Sequence, residues 1–152
     1  MSAQFVNRRL AHLLGWLGLV PFVLLALACW LVHADWLGTF IKAQLAYGIL
    51  ILAFLGGMHW GAAMISPALS AEHTKRALAW SIAPVLAAWM ATMVGGFGFA
   101  LLIVGFVAAY QVDKRIYPWY RMPEWLLPLR FILTCVVVAA LALTVIAANV
   151  RG

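Results

Sequence analysis

The sequence predicts an all-α integral membrane protein, a bundle of five transmembrane helices with its N-terminus inside and its C-terminus outside. Hydrophobic residues make up 67% of the 152-residue chain and charged residues only 9%, whereas a soluble domain is about half apolar and a quarter charged. The mean hydropathy is +1.05, so the polar side chains are too few to cover a water-soluble globule. We therefore expect a single transmembrane domain over residues 1–152.

Five apolar stretches are each long enough to cross the hydrocarbon core, which takes about 20 residues. They cover about 11–33, 41–65, 76–94, 97–115 and 124–149. Pro21 and Pro84 fall inside two of them and predict kinks, because neighbouring helices can satisfy the carbonyls that a proline frees. The sequence GGFG at 95–98 leaves room only for a tight turn and predicts an antiparallel hairpin of the third and fourth spans.

The first span resembles a signal peptide, and its LALAC segment ends at Cys29 like a degenerate lipobox. The apolar core continues past this cysteine, and four more apolar spans follow it. We therefore expect the first helix to be retained. Cys29 and Cys135 show no metal-ligand or disulfide spacing and are interpreted as small buried hydrophobic residues.

The basic residues predict the orientation, because Lys and Arg concentrate on the cytoplasmic side of membrane proteins. On the other side lie only Lys42 and Arg151. The eight on the predicted inner side are Arg8, Arg9, Lys75, Arg76, Lys114, Arg115, Arg121 and Arg130. The net charge of +6 is thus accounted for by topology, the lipid bilayer is the expected partner, and no nucleic-acid partner is expected.

Small residues surround a histidine in the segment FLGGMHWGAAM at 54–64. Ala53, Gly57 and Gly61 are spaced by four and form one stripe on a helix, while Gly56 lies beside His59 on roughly the opposite side. Small residues at this spacing let another helix approach closely in lipid. The four small residues are therefore predicted to pack helices together, with the second span central in the bundle.

Polar and aromatic residues are predicted to cluster in the cytoplasmic half of the bundle, where they would form a polar pocket. Asp113 and Arg130 are predicted to form an ion pair, which would either fix the register of the last two spans or line a pocket with His59. The candidate cluster comprises His59, Trp60, Trp80, Ser81, Tyr110, Asp113, Trp119, Tyr120 and Arg130.

His59 admits several roles. It could form an interhelical hydrogen bond to a carbonyl or to Ser81, exchange a proton with Asp113, or ligate a haem together with His12. A metal site is not expected, because no further His, Cys or Glu lies at a suitable depth. The aromatic segment YPWYRMPEW at 117–125 predicts either an interfacial belt or a short lid over the cluster. No catalytic motif is found, and no cofactor is assigned.

Several segments together carry a family resemblance. They are GLVPF at 18–22, AYGILILAFLGGMHWG at 46–61, WSIAPVLAAWMA at 80–91, VDKR at 112–115 and YPWYRMPEWLLPLRFILT at 117–134. With these segments the chain resembles the bacterial membrane family called domain of unknown function 3429, which is related to mitochondrial transmembrane protein 69. The resemblance implies a small multi-pass protein of the bacterial inner membrane, and it implies no activity or cofactor.

Two classes of function follow from these observations. The chain could be a non-enzymatic accessory or assembly protein of an inner-membrane complex, which is favoured because its short loops leave little outside the membrane for soluble substrates. The alternative is a binder of a small amphipathic ligand, such as a quinone, a porphyrin or a lipid, in the polar pocket at the cytoplasmic leaflet. An enzyme is the third and least favoured class.

Overall fold

The computed structural model describes residues 3–67 and 69–151, with side chains from residue 8 onward, and 90% of it is helical. Within the described residues there is no strand, which confirms the predicted all-α class. The five helices are α1 (Ala3–Leu31), α2 (Ala34–Ile65), α3 (Ala71–Ala91), α4 (Gly98–Tyr120) and α5 (Leu126–Arg151), and a short 3₁₀ turn at Gly95–Phe97 precedes α4.

Four of these helices are long and apolar enough to cross a membrane: α1, α2, α4 and α5. The chain is therefore a multi-pass membrane protein. Helix α3 does not reach the same hydropathy, because its first two turns carry Glu72, Lys75 and Arg76. The third crossing and the side on which each terminus lies stay predictions.

The hairpin predicted from GGFG is confirmed. Gly95 takes the left-handed backbone conformation (φ +58°) at the start of the 3₁₀ turn, where a glycine carries no steric penalty. A Cβ on Gly98 would lie 2.7 Å from the carbonyl oxygen of Ala91. At the opposite end of the same two helices, the ring of His73 stacks on Trp119 with centroids 3.9 Å apart. Helices α3 and α4 therefore run antiparallel along their whole length.

The chain divides into two compact units. The first comprises the described residues of Met1–Gln44 and Glu124–Gly152, and the second is Leu45–Pro123. Helix α2 contributes its first part to the first unit and its second part to the second unit. Pro21 and Pro84 both lie inside helices, in α1 and α3 respectively.

In the first unit α1 and α5 lie side by side and run in the same direction. A Cβ on Gly15 would lie 3.3 Å from Leu133, and further along both helices Trp30 Nε1 donates to the Leu143 carbonyl at 3.2 Å. At the last turn of α5 the Arg151 guanidinium donates to the carbonyls of Cys29 (2.6 Å) and Val32. A cation at a helix C-terminus satisfies free carbonyls and opposes the negative end of the helix dipole.

The two cysteines behave differently. Cys29 is buried against Leu37 and Ala147 in the first unit, as predicted. Cys135 is exposed on α5, so the prediction that it is buried is wrong. An outward apolar position carries little cost in a helix that contacts lipid, because lipid tails are as apolar as the protein core.

In the second unit α2 and α4 run in the same direction. Helix α3, which connects them in the sequence, runs in the opposite direction. Leu45 lies against the Gly98 position, Leu52 against the Gly105 position, and His59 against Asp113, so the contacts advance together along both helices. Helix α3 buries only small side chains, which brings its backbone close to its neighbours. They are Ala77, Ser81, Pro84, Ala88 and Ala91.

The glycines of α2 differ in their surroundings. A Cβ on Gly56 would lie 2.5 Å from the Ser81 carbonyl oxygen and 3.3 Å from Pro84. Cβ atoms on Gly57 and Gly61 would meet no described atom within 4 Å. Helices α3 and α4 pack on the other side of α2, where Gly56 and His59 lie, and Ala53 is half-buried between the two sides. Packing of another helix against the stripe of Ala53, Gly57 and Gly61 stays a prediction.

We expect Gly56→Ala to lower the free energy of unfolding by about 1–3 kcal/mol, since the new methyl would overlap the α3 backbone. The matched control is Gly57→Ala, next to it on the same helix. That change should leave stability equal or slightly higher, because alanine is the better helix former and has open space. Thermal unfolding in detergent, followed by helical circular dichroism, compares them. Equal melting temperatures for the two variants would contradict the close α2–α3 approach.

Candidate functional site

The side chain of His59 points into the second unit. One turn before it, Gly56 allows α3 to approach, and one turn after it Ala62 and Ala63 are buried. The α2 backbone runs through this segment as an unbroken helix, so the ring is held by a rigid element. His59 is 2% exposed. An ionisable ring at such a position requires polar partners.

Helix α4 supplies those partners from one face. Asp113, Tyr117 and Tyr120 follow one another at spacings of four and three, which places them on the same side of a helix. Tyr120 is the last helical residue, because Arg121 takes the left-handed conformation (φ 57°) and closes the helix with its N–H bonded to Pro118.

The three polar groups form one hydrogen-bonded chain, which we call the polar chain: Asp113, His59 and Tyr120. His59 Nε2 lies 2.5 Å from Asp113 Oδ1, with both side chains 2% exposed. His59 Nδ1 lies 3.1 Å from the Tyr120 hydroxyl, which is half-buried at the helix end. The rings of Tyr117 and Tyr120 flank the imidazole with centroids 5.7 Å and 5.8 Å away.

This arrangement determines what the imidazole can do. Both ring nitrogens of His59 are engaged, one by a carboxylate and the other by a hydroxyl, which leaves neither nitrogen to ligate a haem iron. The expected bond to Ser81 is not formed; the Ser81 hydroxyl donates instead to the Leu78 carbonyl at 2.6 Å. Among the described residues no group of three His, Cys, Asp or Glu side chains could hold a metal ion.

The other predicted cluster residues in the second unit differ in their surroundings. Trp60 is 48% exposed and faces away from the polar chain. Trp119 stacks on His73 at an interplanar angle of 4°, and so joins the end of α4 to the start of α3. Tyr110 is half-buried on α4, and Trp80 is half-buried on α3, its indole N–H meeting no acceptor in the described part of the chain.

Arg130 is buried in the first unit, at 6% exposure, whereas Asp113 belongs to the second. Its ion pair with Asp113 therefore stays a prediction. Sequence reasoning also missed two residues. Tyr117 lies beyond the predicted end of the fourth span at 115, and His73 lies before the predicted start of the third span at 76. Extending the helix to Tyr120 would have shown Asp113, Tyr117 and Tyr120 on one face.

Known proteins similar to this chain match it over most of its length. A family model described as "Protein of unknown function (DUF3429)" matches residues 7–146. Transmembrane protein 69 of Xenopus tropicalis is 36% identical over 140 residues, which cover 90% of this chain and 54% of that protein. Transmembrane protein 69 of Mus musculus is 31% identical over 137 residues, covering 88% and 54%. The chain thus spans about half the length of these curated relatives, and no solved structure matches it.

We expect His59→Leu to lower the free energy of unfolding by about 3–5 kcal/mol, because it removes a hydrogen-bond partner of the buried Asp113 carboxylate. The double variant His59→Leu/Asp113→Leu should cost clearly less than the sum of the two single variants, since the two groups stabilise each other. Unfolding in detergent with increasing denaturant measures all four proteins of the cycle. Strict additivity would show that the imidazole and the carboxylate do not interact.

Proposed function

The chain belongs to the family of proteins of unknown function DUF3429, and on that premise we propose that it is a non-enzymatic accessory or assembly protein of a bacterial inner-membrane complex. Its described residues lie almost entirely in helices, and the connections between them are only a few residues long. Little of the chain is left outside the membrane to bind a water-soluble substrate. Partner recognition would therefore take place through helix surfaces.

An exposed surface on the second half of α2 supports this proposal most directly. We call it the open face: Leu50, Phe54, Gly57, Gly61 and Met64, which recur at spacings of three and four. Phe54 and Met64 are 63% and 65% exposed, and between them the two glycines leave a shallow groove that nothing in the described chain fills. Two glycines four residues apart allow close contact with a second helix in lipid. A transmembrane helix of a partner protein fits this surface.

The polar chain supports a second candidate function, the binding of a small amphipathic ligand such as a quinone, a porphyrin or a lipid. Its outermost group, the Tyr120 hydroxyl, is half-buried at the end of α4. A ligand with a polar head could bond to this hydroxyl while its apolar part lies along the lipid-facing side chains. Both ring nitrogens of His59 already form hydrogen bonds within the polar chain. Tyr120 is therefore the residue that would contact the ligand.

The same contacts support five membrane crossings with the N-terminus inside. Because α2 and α4 run in the same direction, the chain between them must return across the same thickness, and only α3 can do so. With 21 residues, α3 is about 32 Å long, close to the roughly 30 Å of the hydrocarbon core. Helices α1 and α5 run in the same direction, which favours termini on opposite sides. The basic residues favour an inner N-terminus.

A reporter that is active only outside the cytoplasm should therefore be active when fused after Gly152 and inactive when inserted in the connection 121–125. These two sites flank α5, so opposite activities are the expected result. Protease accessibility in inverted and right-side-out vesicles provides an independent check. The same activity at both sites would overturn the proposed crossing of α5, and reversed activities would overturn the proposed orientation.

Native mass spectrometry of the gently purified protein distinguishes the two functions. If the open face binds a partner helix, Gly57→Leu/Gly61→Leu should remain folded but lose a co-purifying protein, because leucine fills the groove. If Tyr120 binds a small ligand, Tyr120→Phe should lose a bound small molecule and keep any protein partner. A protein partner retained at wild-type level by the double glycine variant would contradict the accessory proposal. A small molecule retained by Tyr120→Phe would contradict the ligand proposal.

A further inference from the structure

We infer that the polar chain is a one-proton relay, in which Tyr120 carries a proton between the end of α4 and the buried His59–Asp113 pair. This inference goes beyond both functions proposed above and depends on neither. It rests on three observations: the pair is almost completely buried, both imidazole nitrogens are engaged, and the group at the outer end is a half-buried hydroxyl.

The donor and acceptor roles in the chain follow from the protonation state of the ring. When the imidazole is neutral, the Nε2–H donates to the Asp113 carboxylate, and Nδ1 must accept from the Tyr120 hydroxyl. When the imidazole is protonated, Nε2–H still donates to Asp113, but Nδ1–H now donates to the Tyr120 oxygen. The same 3.1 Å contact serves both states with its direction reversed. One proton can therefore be taken up without displacing any heavy atom.

The transfer balances as a simple relay. A hydronium ion at the end of α4 gives a proton to the Tyr120 oxygen and becomes water, while the original hydroxyl proton of Tyr120 passes to His59 Nδ1. The phenol is neutral before and after the step, and the imidazole becomes imidazolium. The pair then consists of an imidazolium and a carboxylate with no net charge, whereas before the step it carried one negative charge. Release follows the same path in reverse, and no electron transfer is involved.

The groups around the pair in the second unit are compatible with this role. On α4, Tyr117 flanks the ring, while Lys114 and Arg115, next to Asp113 in the chain, are exposed and face away from it. On α3, the buried Ser81 has its hydroxyl bonded to its own helix. His59 itself is the titratable group that α2 contributes to the pair. Tyr120 thus provides a polar route from the pair to the end of α4, where His73 stacks on Trp119.

Nuclear magnetic resonance of the protein with ¹⁵N-labelled histidine tests the relay, because the two ring nitrogens report neutral and protonated imidazole separately. The signal of His59 is identified by its absence in His59→Gln. Should that variant fail to fold, replacing His12, His33 and His73 by glutamine leaves His59 as the labelled residue. We expect the His59 nitrogens to change between the neutral and protonated forms as the pH is lowered across the range in which the protein stays folded.

The role of the hydroxyl is tested by Tyr120→Phe, with Tyr110→Phe as the control on the same helix. Loss of a positioned proton carrier slows proton transfer by roughly a hundredfold, so exchange of the His59 proton with water should slow to that extent in Tyr120→Phe and stay unchanged in Tyr110→Phe. The relay is refuted if the His59 nitrogens do not change with pH, which would make the pair purely structural. It is equally refuted if Tyr120→Phe exchanges as fast as the wild type.

Discussion

The second unit depends on the bond between His59 and Asp113. An unpaired carboxylate or imidazolium surrounded by apolar side chains costs several kcal/mol, and the bond that holds the two groups 2.5 Å apart between α2 and α4 lowers this cost. The bond therefore fixes both the rotation of α2 about its axis and its register against α4. Apolar packing alone specifies neither strongly, because neighbouring leucines and alanines can exchange places at little cost.

The close approaches in the same unit follow from that register. With His59 opposite Asp113, Gly56 meets the backbone of α3, and the Gly105 position meets Leu52. A side chain at either glycine position would displace its neighbour, so these glycines and the His59–Asp113 hydrogen bond specify the same arrangement. The outer glycines, Gly57 and Gly61, carry no such constraint, and their side of α2 is available for contacts outside the chain.

The sequence was informative about class and much less informative about contacts. Composition and span length predict the helical membrane class because both are determined by the lipid that surrounds the helices. The GGFG turn predicts the hairpin because four residues allow few other connections. The partner of His59 was harder to predict. A helical stripe shows which residues share a face but not which neighbour that face meets, so the two glycine sides of α2 could not be ranked. The end of α4 was also placed too early, because Lys114 and Arg115 resemble the end of a span although the helix continues beyond them as far as Tyr120.

The pairing of α1 with α5 has a consequence for biosynthesis. The second unit is one continuous stretch of chain, Leu45–Pro123, and can assemble as soon as it has been inserted. The first unit combines two segments that are far apart in the sequence, and the carbonyls at the end of α1 accept hydrogen bonds from Arg151 in the last turn of α5. Helix α1 is synthesised well before α5, and the contacts it can form early are those with the first part of α2, where Leu37 packs against Cys29. It must therefore remain in the bilayer without α5 until that helix has been inserted, and during this interval the insertion machinery or another membrane protein has access to it.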